Sequence, residues 1–509
     1  MTATLDAATA GRRAAPIAMD AAEFRQCGHA LIETIAGLLE TLPERPIVRN
    51  SSPKELRGLL GGDGLPEHGA PAGELLAEAA RLLFDNSLYN GHPRFMGYVT
   101  SPPSPIGMLA DLLAAAVNPN VGGWALSPMA TEIEAQTVRW IAELIGYPTE
   151  CGGLLVSGGN QANFIGFLAA RLARAGWDVQ ATGTAGVGSR QLRAYTSADT
   201  HTWIQKAADM FGLGTDSIRW IPTDDKQRMD VDALVRAVAA DRDAGDVPFL
   251  AVGTAGTVGT GAVDPLLRIA TIAQEHNLWF HVDGAYGGFA AALPSAGEDL
   301  RALALADSVA VDPHKWLYSP LEAGCALVRD RESLRHAFSY TPPYYHFDPS
   351  IESDLPQDKP INYYEYGPQN SRGFRALKIW LGLRQIGREG NVQQISDDIA
   401  LAAELYRLAD AHPDLEALTH NLSITTFRYA PPELRGGEKA EQLLNALNTS
   451  LLERMQAGGE AFVSNAVLDG RFALRACIVN FRTSLSDVEA VIEITVRLGN
   501  KLEAELQSG

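Results

Sequence analysis

WFHVDGAYGGF (residues 279–289) and DSVAVDPHKWLYSP (residues 307–320) form the stretch on which the reading of this chain turns. Leu278 to Val282 is a short run of apolar, strand-forming residues, and Asp283 stands where it stops. Gly284, Gly287 and Gly288 then force a turn. Ser308 to Val311 is a second such run, followed at once by Asp312, Pro313, His314 and Lys315. Two short buried strands that each end in polar residues predict a parallel α/β sheet with its site at the carboxyl ends of the strands. Taken singly, a lysine in a loop is a solvated charge and an aspartate after a strand is a turn residue or a helix cap. Together, an Asp at one strand end and a His-Lys pair at the next are the equipment for holding pyridoxal phosphate. Lys315 can form a Schiff base with its aldehyde, and Asp283 can pair with its pyridinium nitrogen.

Bulk properties narrow the setting. The chain has 509 residues, 46% hydrophobic and 20% charged, as expected of a globular enzyme with two or three domains or one large domain with appendages. A formal net charge of −19 argues against nucleic acid or an anionic membrane as the main partner. Cys27, Cys151, Cys325 and Cys477 are far apart and include no C-x-x-C, so a disulfide framework or a zinc site is not expected and a reducing cytosol fits. No apolar run of about 18 residues occurs, so no membrane span is expected. Residues 1–20 are read as a disordered tail, because no apolar core follows Arg12 and Arg13.

Going outward from the central stretch, helices are expected over Ala21–Leu42 and Glu74–Phe84, with an irregular Gly/Pro-rich crossing over 47–72 between them. A helix over about Met129–Ile145 follows. Leu154–Val156 is a strand that enters SGGNQAN (157–163), and a helix runs from Asn163 to Ala175. Glycines before a helix let backbone N–H groups approach a phosphate, which the helix dipole favours. Strands at Ala194–Ser197 and Phe249–Val252, and a helix through Met210, lead to GTAGTVGTG (253–261). That run is not read as a dinucleotide loop, since no helix follows it directly and Asp264-Pro265 intervenes. Beyond the strand Cys325–Val328, residues 341–357 form a long polar stretch of the kind used as a lid. A helix then runs to Gly387. A smaller α+β unit carries helices over Val392–His412, Lys439–Met455 and Ser486–Glu505, with strands near 423–428 and 473–480.

HVDGAYGG together with DPHKW resembles the pyridoxal-phosphate-dependent amino-acid decarboxylases of the aromatic-L-amino-acid, histidine and glutamate decarboxylase family. The resemblance covers about residues 20–500. It extends to EFRQCGHALIETI (23–35), HPRFMGY (92–98), WALSP with TEIE (124–134), NSRGFRALKIW (370–380) and FALR (472–475). It implies the α/β fold of the aspartate aminotransferase-like enzymes (fold type I). The parts would be an N-terminal helical dimerisation arm (21–100), a large cofactor-binding domain (101–387) and a small C-terminal α+β domain (388–509). The active enzyme would be a homodimer with sites at the interface.

The resemblance also assigns roles. Gly159 and Asn160 would hold the phosphate, and Thr257 would lie beside the cofactor, with Val258 where relatives carry a second threonine. His201 would stack on one face of the cofactor ring, and the small Ala285 allows close contact on the other. His314 would orient the phosphate or the substrate carboxylate. Asp312, where animal relatives carry Asn, would cap a turn or pair with a base, since it would repel a phosphate. Tyr98 would line the substrate pocket. A tyrosine of the long loop, Tyr344 or its rival Tyr345, would protonate the product carbon. Arg475 matches an arginine that contacts substrate carboxylate in glutamate decarboxylases. Gly122, near a position where aromatic-specific relatives carry Phe, implies a roomier pocket.

The activity expected is decarboxylation of an L-amino acid, aromatic by preference, to an amine. The alternatives are an aldehyde synthase, which decarboxylates and then oxidatively deaminates with O₂, or a decarboxylase of an acidic amino acid. An aminotransferase and a catalytically silent scaffold fit the DPHKW context less well.

Overall fold

The computed structural model describes residues 15–61, 64–184, 190–340 and 360–508. The chain separates into two compact units, Met1–Tyr89 and Asn90–Gly509. Strands are numbered β1–β11, and helices of eight residues or more α1–α13.

The first unit holds α1 (Ala21–Thr41), α2 (Pro53–Leu60) and α3 (Ala72–Asn86). Asp20 caps α1, its Oδ1 accepting from the N–H groups of Ala22 and Glu23 at 2.8 and 2.9 Å. No residue of α1 is buried within the chain, and Phe24 stands exposed. Helix α2 lies in the stretch expected to be irregular. Its signal is short but present: Ser52 and Glu55 form a reciprocal capping box, and Pro53 occupies the first turn.

The second unit is built on a seven-stranded sheet. Its strands are β1 (Gly152–Val156), β2 (Leu192–Ser197), β3 (Ile218–Ile221), β4 (Val247–Thr254), β5 (Trp279–Asp283), β6 (Ser308–Val311) and β7 (Gly324–Val328), in the order β1-β7-β6-β5-β4-β2-β3. The expectation of a purely parallel sheet is corrected here. Strand β7 runs antiparallel to both its neighbours, while the other six share one direction. The short link from Lys315 to Gly324 leaves no room for a crossover helix, so β7 must return beside β6. Alternate strand residues feed two cores. Leu154, Val156, Leu250 and Val252 face one side, while Leu155, Ala251 and Val282 face the other.

The first core is covered by α6 (Gly159–Arg174) and α7 (Trp203–Met210), after α4 (Pro105–Val117) and α5 (Pro128–Ile145) in the chain; the second by α5 with α8 (Val231–Asp243) and α9 (Leu266–Glu275). Helix α6 begins at Gly159, one turn before the expected Asn163, so the glycines belong to the helix start itself. Among the described residues no helix is long and apolar enough to cross a membrane.

After α10 (Arg331–Phe338), the long α11 (Ala376–Ala411) runs through a break at Gly387 (φ 64°), a left-handed conformation that glycine tolerates. The expected helix to Gly387 and the next from Val392 are thus two helical stretches that meet at this break. A second, antiparallel sheet follows, with the order β10-β11-β9-β8. Its strands are β8 (Leu415–Asn421), β9 (Ile424–Tyr429), β10 (Ser464–Leu468) and β11 (Arg471–Cys477). It packs with α12 (Glu438–Gly458) and α13 (Leu485–Ser508). Strands β8 and β10 were not expected: β8 is half-buried along most of its length, and β10 alternates in burial but buries a serine and exposes a valine, so its residue types do not show it.

Arg372 joins distant parts of the large layer. Its guanidinium donates to Val121 O (2.9 Å) and Leu155 O (2.7 Å), pairs with Glu134, and lies 4.6 Å from the Tyr363 ring centre. Both side chains of the pair are buried, and Glu134 also accepts from Leu155 N–H at 2.9 Å. Arg372→Met should therefore lower unfolding free energy by about 3–5 kcal/mol, since it strands a buried carboxylate. Chemical denaturation of the holoenzyme checks this; a loss below about 1 kcal/mol, the scale of an exposed pair, would contradict it.

Candidate functional site

The carboxyl ends of the strands converge on one pocket of about 430 Å³. Asp283 closes β5 and is paired in register with Thr254, the last residue of β4. Asp312, His314 and Lys315 follow β6, Ser157 to Asn160 follow β1, and His201 follows β2. All of these line the pocket, together with Gln161, Asn163, Gly256, Val258, Ala285, Tyr286 and Glu322. The strand-end placement expected from the sequence is thus what assembles the site.

Asp283 is nearly buried and held at both oxygens. Its Oδ2 accepts from Trp203 Nε1 at 2.8 Å, and its Oδ1 accepts from Ala285 N–H at 3.2 Å. Trp203 stands two residues after His201, yet nothing in the sequence marked it as a partner of Asp283. Behind Asp283, His281 Nε2 lies 2.7 Å from Asn163 Oδ1, and its Nδ1 lies 2.7 Å from Ser308 Oγ, which accepts from Trp279 Nε1 at 2.8 Å. Full burial pushes His281 down to about 4, so it is neutral. An acceptor at Nε2 and a hydroxyl at Nδ1 then place its single proton on Nε2. Gly166 makes room for this ring: a Cβ there would lie 2.6 Å from His281 Nδ1.

Lys315 Nζ lies 3.0 Å from Asp312 Oδ2, and His314 Nε2 lies 3.5 Å from the same oxygen. Asp312 is buried and pairs with bases. Among the described residues its Oδ1 has no hydrogen-bond partner. His314 accepts from Ala323 N–H through Nδ1 at 3.2 Å, and burial lowers its pKa against the pull of Asp312. His201 accepts from Trp203 N–H through Nδ1 at 3.3 Å. Although exposed at the pocket mouth in the single chain, it too has a lowered pKa; partial desolvation is the main cause, with Asp283 opposing.

Helix α6 opens onto this group with no side chain capping it. A Cβ at Gly159 would sit 2.8 Å from Asp312 Oδ2, and a Cβ at Gly324 would sit 2.5 Å from Gly158 Cα. The glycines therefore bring backbone, not side chain, to the helix start. These residues fit pyridoxal phosphate. The uncapped N–H groups from Gly159 suit a phosphate dianion, Lys315 offers the amine, and Asp283 offers an anchored carboxylate. His201 and the small Ala285 are the flanking surfaces.

Other expected residues lie elsewhere. Thr257 is buried in the turn after β4, with its hydroxyl 3.0 Å from that of Thr260, and Val258 and Thr254 line the pocket instead. The strand-end rule alone would have pointed to Thr254. Arg475 is buried on β11, donates to Tyr98 O at 3.0 Å, and does not line the pocket. Tyr98 is exposed beside Phe462, at 5.9 Å between ring centres, and outside the pocket of the single chain. Gly122 lies outside the pocket of the single chain. A Cβ there would fall 2.0 Å from Asn370 O, so close backbone approach requires the glycine. Tyr344 and Tyr345 lie outside the described residues.

Residues 53–430 match the family described as "Pyridoxal-dependent decarboxylase conserved domain". An aromatic-L-amino-acid decarboxylase of Bacillus atrophaeus is 31% identical over 481 residues, 94% of this chain and 95% of that one. A phenylacetaldehyde synthase of Arabidopsis thaliana is 29% identical over 469 residues, 90% and 92% of the two chains. Among solved structures, Oryza sativa TDC with PLP and tryptamine superposes with a TM-score of 0.87 at 27% identity, covering 96% of this chain and 100% of that one. A pocket built of strand-end Asp and Lys around an uncapped helix start, inside this fold, is explained by one assignment: the chain belongs to the pyridoxal-dependent decarboxylases, the group II amino-acid carboxy-lyases that work with pyridoxal 5′-phosphate.

Proposed function

We propose that this decarboxylase converts an uncharged aromatic L-amino acid (Trp, Phe, Tyr or DOPA) to its amine and CO₂, as a homodimer with sites at the interface. The observation that carries the substrate class is the charge of the pocket wall. Among the described lining residues, Lys315 is the only lysine or arginine, whereas Asp283, Asp312 and Glu322 are acidic. The two lining histidines have lowered pKa values and add no fixed charge. A substrate with a second carboxylate would meet net repulsion there. Arg475 offers it no help, being bonded to the Tyr98 carbonyl. The aromatic-L-amino-acid decarboxylase relative supports the same choice.

When bound, pyridoxal phosphate supplies the electron sink for the pair left on the α-carbon as CO₂ departs. The protein does the rest. Lys315 would provide the amine that attaches the cofactor. The α6 N–H groups from Gly159 and Asn160 would hold the phosphate, with His314 nearby. Asp283 would favour a proton on the ring nitrogen, and its two donors keep the carboxylate aimed. His201 and Ala285 would flank the ring.

The dimer reading rests on exposed apolar surface. Leu109, Leu112, Leu113 and Val117 of α4 are each more than half exposed, and α1 buries none of its residues. A second copy of the chain is the economical cover for such faces. Tyr98 would then meet substrate from across the interface. The four free cysteines support a reducing, cytosolic setting.

The phenylacetaldehyde synthase relative favours one rival reading. Amine formation needs a proton at the α-carbon. Without that proton, amino acid, O₂ and water yield aldehyde, ammonia, CO₂ and H₂O₂. We assign the proton to Tyr344 or, one place on, Tyr345. The test is to supply aromatic and acidic L-amino acids under air and measure amine, aldehyde and peroxide. The unmodified protein should make amine from aromatic substrates only, and Tyr344→Phe or Tyr345→Phe should raise the aldehyde fraction about ten-fold or more, the scale of a lost general acid. Mostly aldehyde from the unmodified protein would replace this reading with the synthase. Amine from glutamate would overturn the substrate class.

A further inference from the structure

The turn that carries Lys315 is fastened from behind. Trp316 Nε1 and Tyr318 OH both donate to Asp398 Oδ2, at 2.9 and 2.6 Å. Asn480 N–H reaches Asp398 Oδ1 at 3.4 Å. All four residues are buried. Trp316 also stacks on Tyr286, a pocket residue, with 4.7 Å between ring centres. Tyr318 has φ 51°, in the left-handed region that a bulky side chain adopts only when its surroundings hold it there. Its phenol bond to Asp398, and an edge-on contact with Phe481 at 5.3 Å, are what hold it. Asp398 comes from α11 beyond the Gly387 kink, and Asn480 follows β11, so the fastening reaches the second sheet.

We infer that Asp398 is a positioning residue: it ties the lysine-bearing turn to α11 and to the segment after β11, and the placement of the Lys315 amine depends on it. Asp398 touches neither cofactor nor substrate. It acts through Trp316 and Tyr318, the neighbours of Lys315 on one turn whose own bonds are Lys315 N–H to Asp312 O (2.9 Å) and Tyr318 N–H to Lys315 O (3.2 Å).

The carboxylate also makes the fastening sensitive to pH. Burial raises Asp398 to about 7, although Tyr318, Trp316 and Asn480 pull it down. The other titratable groups facing it are Tyr318 from the lysine turn, Cys477 at the end of β11, and Asp397 on its own helix. Burial pushes Tyr318 well up and Cys477 up to about 11, so neither ionises near neutrality. His92 comes next along the contacts, its carbonyl accepting from Asn480 Nδ2 at 2.8 Å. In an opened, hydrated turn an aspartate titrates near about 4. The closed turn holds its proton more tightly, so the fastening is firmest below about pH 4 and weakens as pH rises through about 7.

The test follows the visible absorbance of holoenzyme diluted into cofactor-free buffer and measures the rate of cofactor loss between about pH 5 and about pH 8. Loss from the unmodified protein should speed up with pH and level off above about 7. Asp398→Asn keeps an acceptor for Trp316 and Tyr318 but cannot ionise, so its profile should be level. Asp398→Ala removes the fastening and should lose cofactor about ten-fold faster or more at every pH. A sloped profile in Asp398→Asn, or wild-type retention in Asp398→Ala, would overturn the inference. If Asp398→Ala does not fold, the profile of Asp398→Asn decides alone. The inference rests on Lys315 as the point of attachment, which lysine variants test separately with Asp398 intact.

Discussion

Lys315→Ala and Lys315→Arg should both lower turnover by at least about 10³-fold, and only the alanine variant should also lose thermal stability. The first effect is chemical. Alanine has no nucleophile, and a guanidinium stays protonated and cannot replace a primary amine. A loss of this size is the scale seen when a group acting in the chemical step is removed. The second effect comes from Asp312. Its carboxylate is buried with Lys315 Nζ at 3.0 Å and His314 Nε2 at 3.5 Å. Alanine leaves that charge to a histidine whose own pKa is lowered, and breaking a buried pair costs about 3–5 kcal/mol. Arginine keeps the positive charge. Turnover and melting temperature of the two variants, measured side by side, separate the chemical role from the structural one. Near-normal turnover in either variant would contradict the assignment of Lys315.

Asp283→Asn should cost about 10²- to 10³-fold in turnover, because it removes a fixed charge aimed where the reaction needs a proton kept. The geometry sharpens this expectation. Asp283 accepts from Trp203 Nε1 and from Ala285 N–H, one at each oxygen. An amide has one oxygen, so its NH₂ must take the place of one of the two acceptors. In either orientation it loses the charge and one of the two hydrogen bonds. Decarboxylation rate and cofactor content measured together distinguish lost chemistry from lost binding. A variant with full cofactor and near-normal rate would show that Asp283 is not the ring partner.

Much of this was legible because the chemistry sits where strands end. Asp283 ends one apolar run too short to be a helix, and Asp312 and Lys315 follow another, so that pattern located two strand ends of the site. Gly159 and Asn160 follow β1 in the same way, and the resemblance singled them out for the phosphate. What escaped the sequence was pairing across distance. Trp203 on Asp283, Asp398 under Trp316 and Tyr318, and Arg372 on Glu134 join residues separated by 80 to 238 positions. No local pattern encodes such a pair. The reversal of β7 escaped because strand direction is set by the length of the connection, not by the strand's own residues. Gly122 shows what a sequence leaves open about a glycine: only the structure reveals the Asn370 carbonyl pressed against it.

Which lysine carries the cofactor decides the roles of every residue around it. Borohydride reduction of the holoenzyme fixes pyridoxal phosphate to its lysine, and peptide mass spectrometry then finds it. The predicted result is a single pyridoxyl-modified peptide with the added mass on Lys315. Modification at Lys206 or Lys378 instead, or no stoichiometric modification in protein that still turns over substrate, would contradict it.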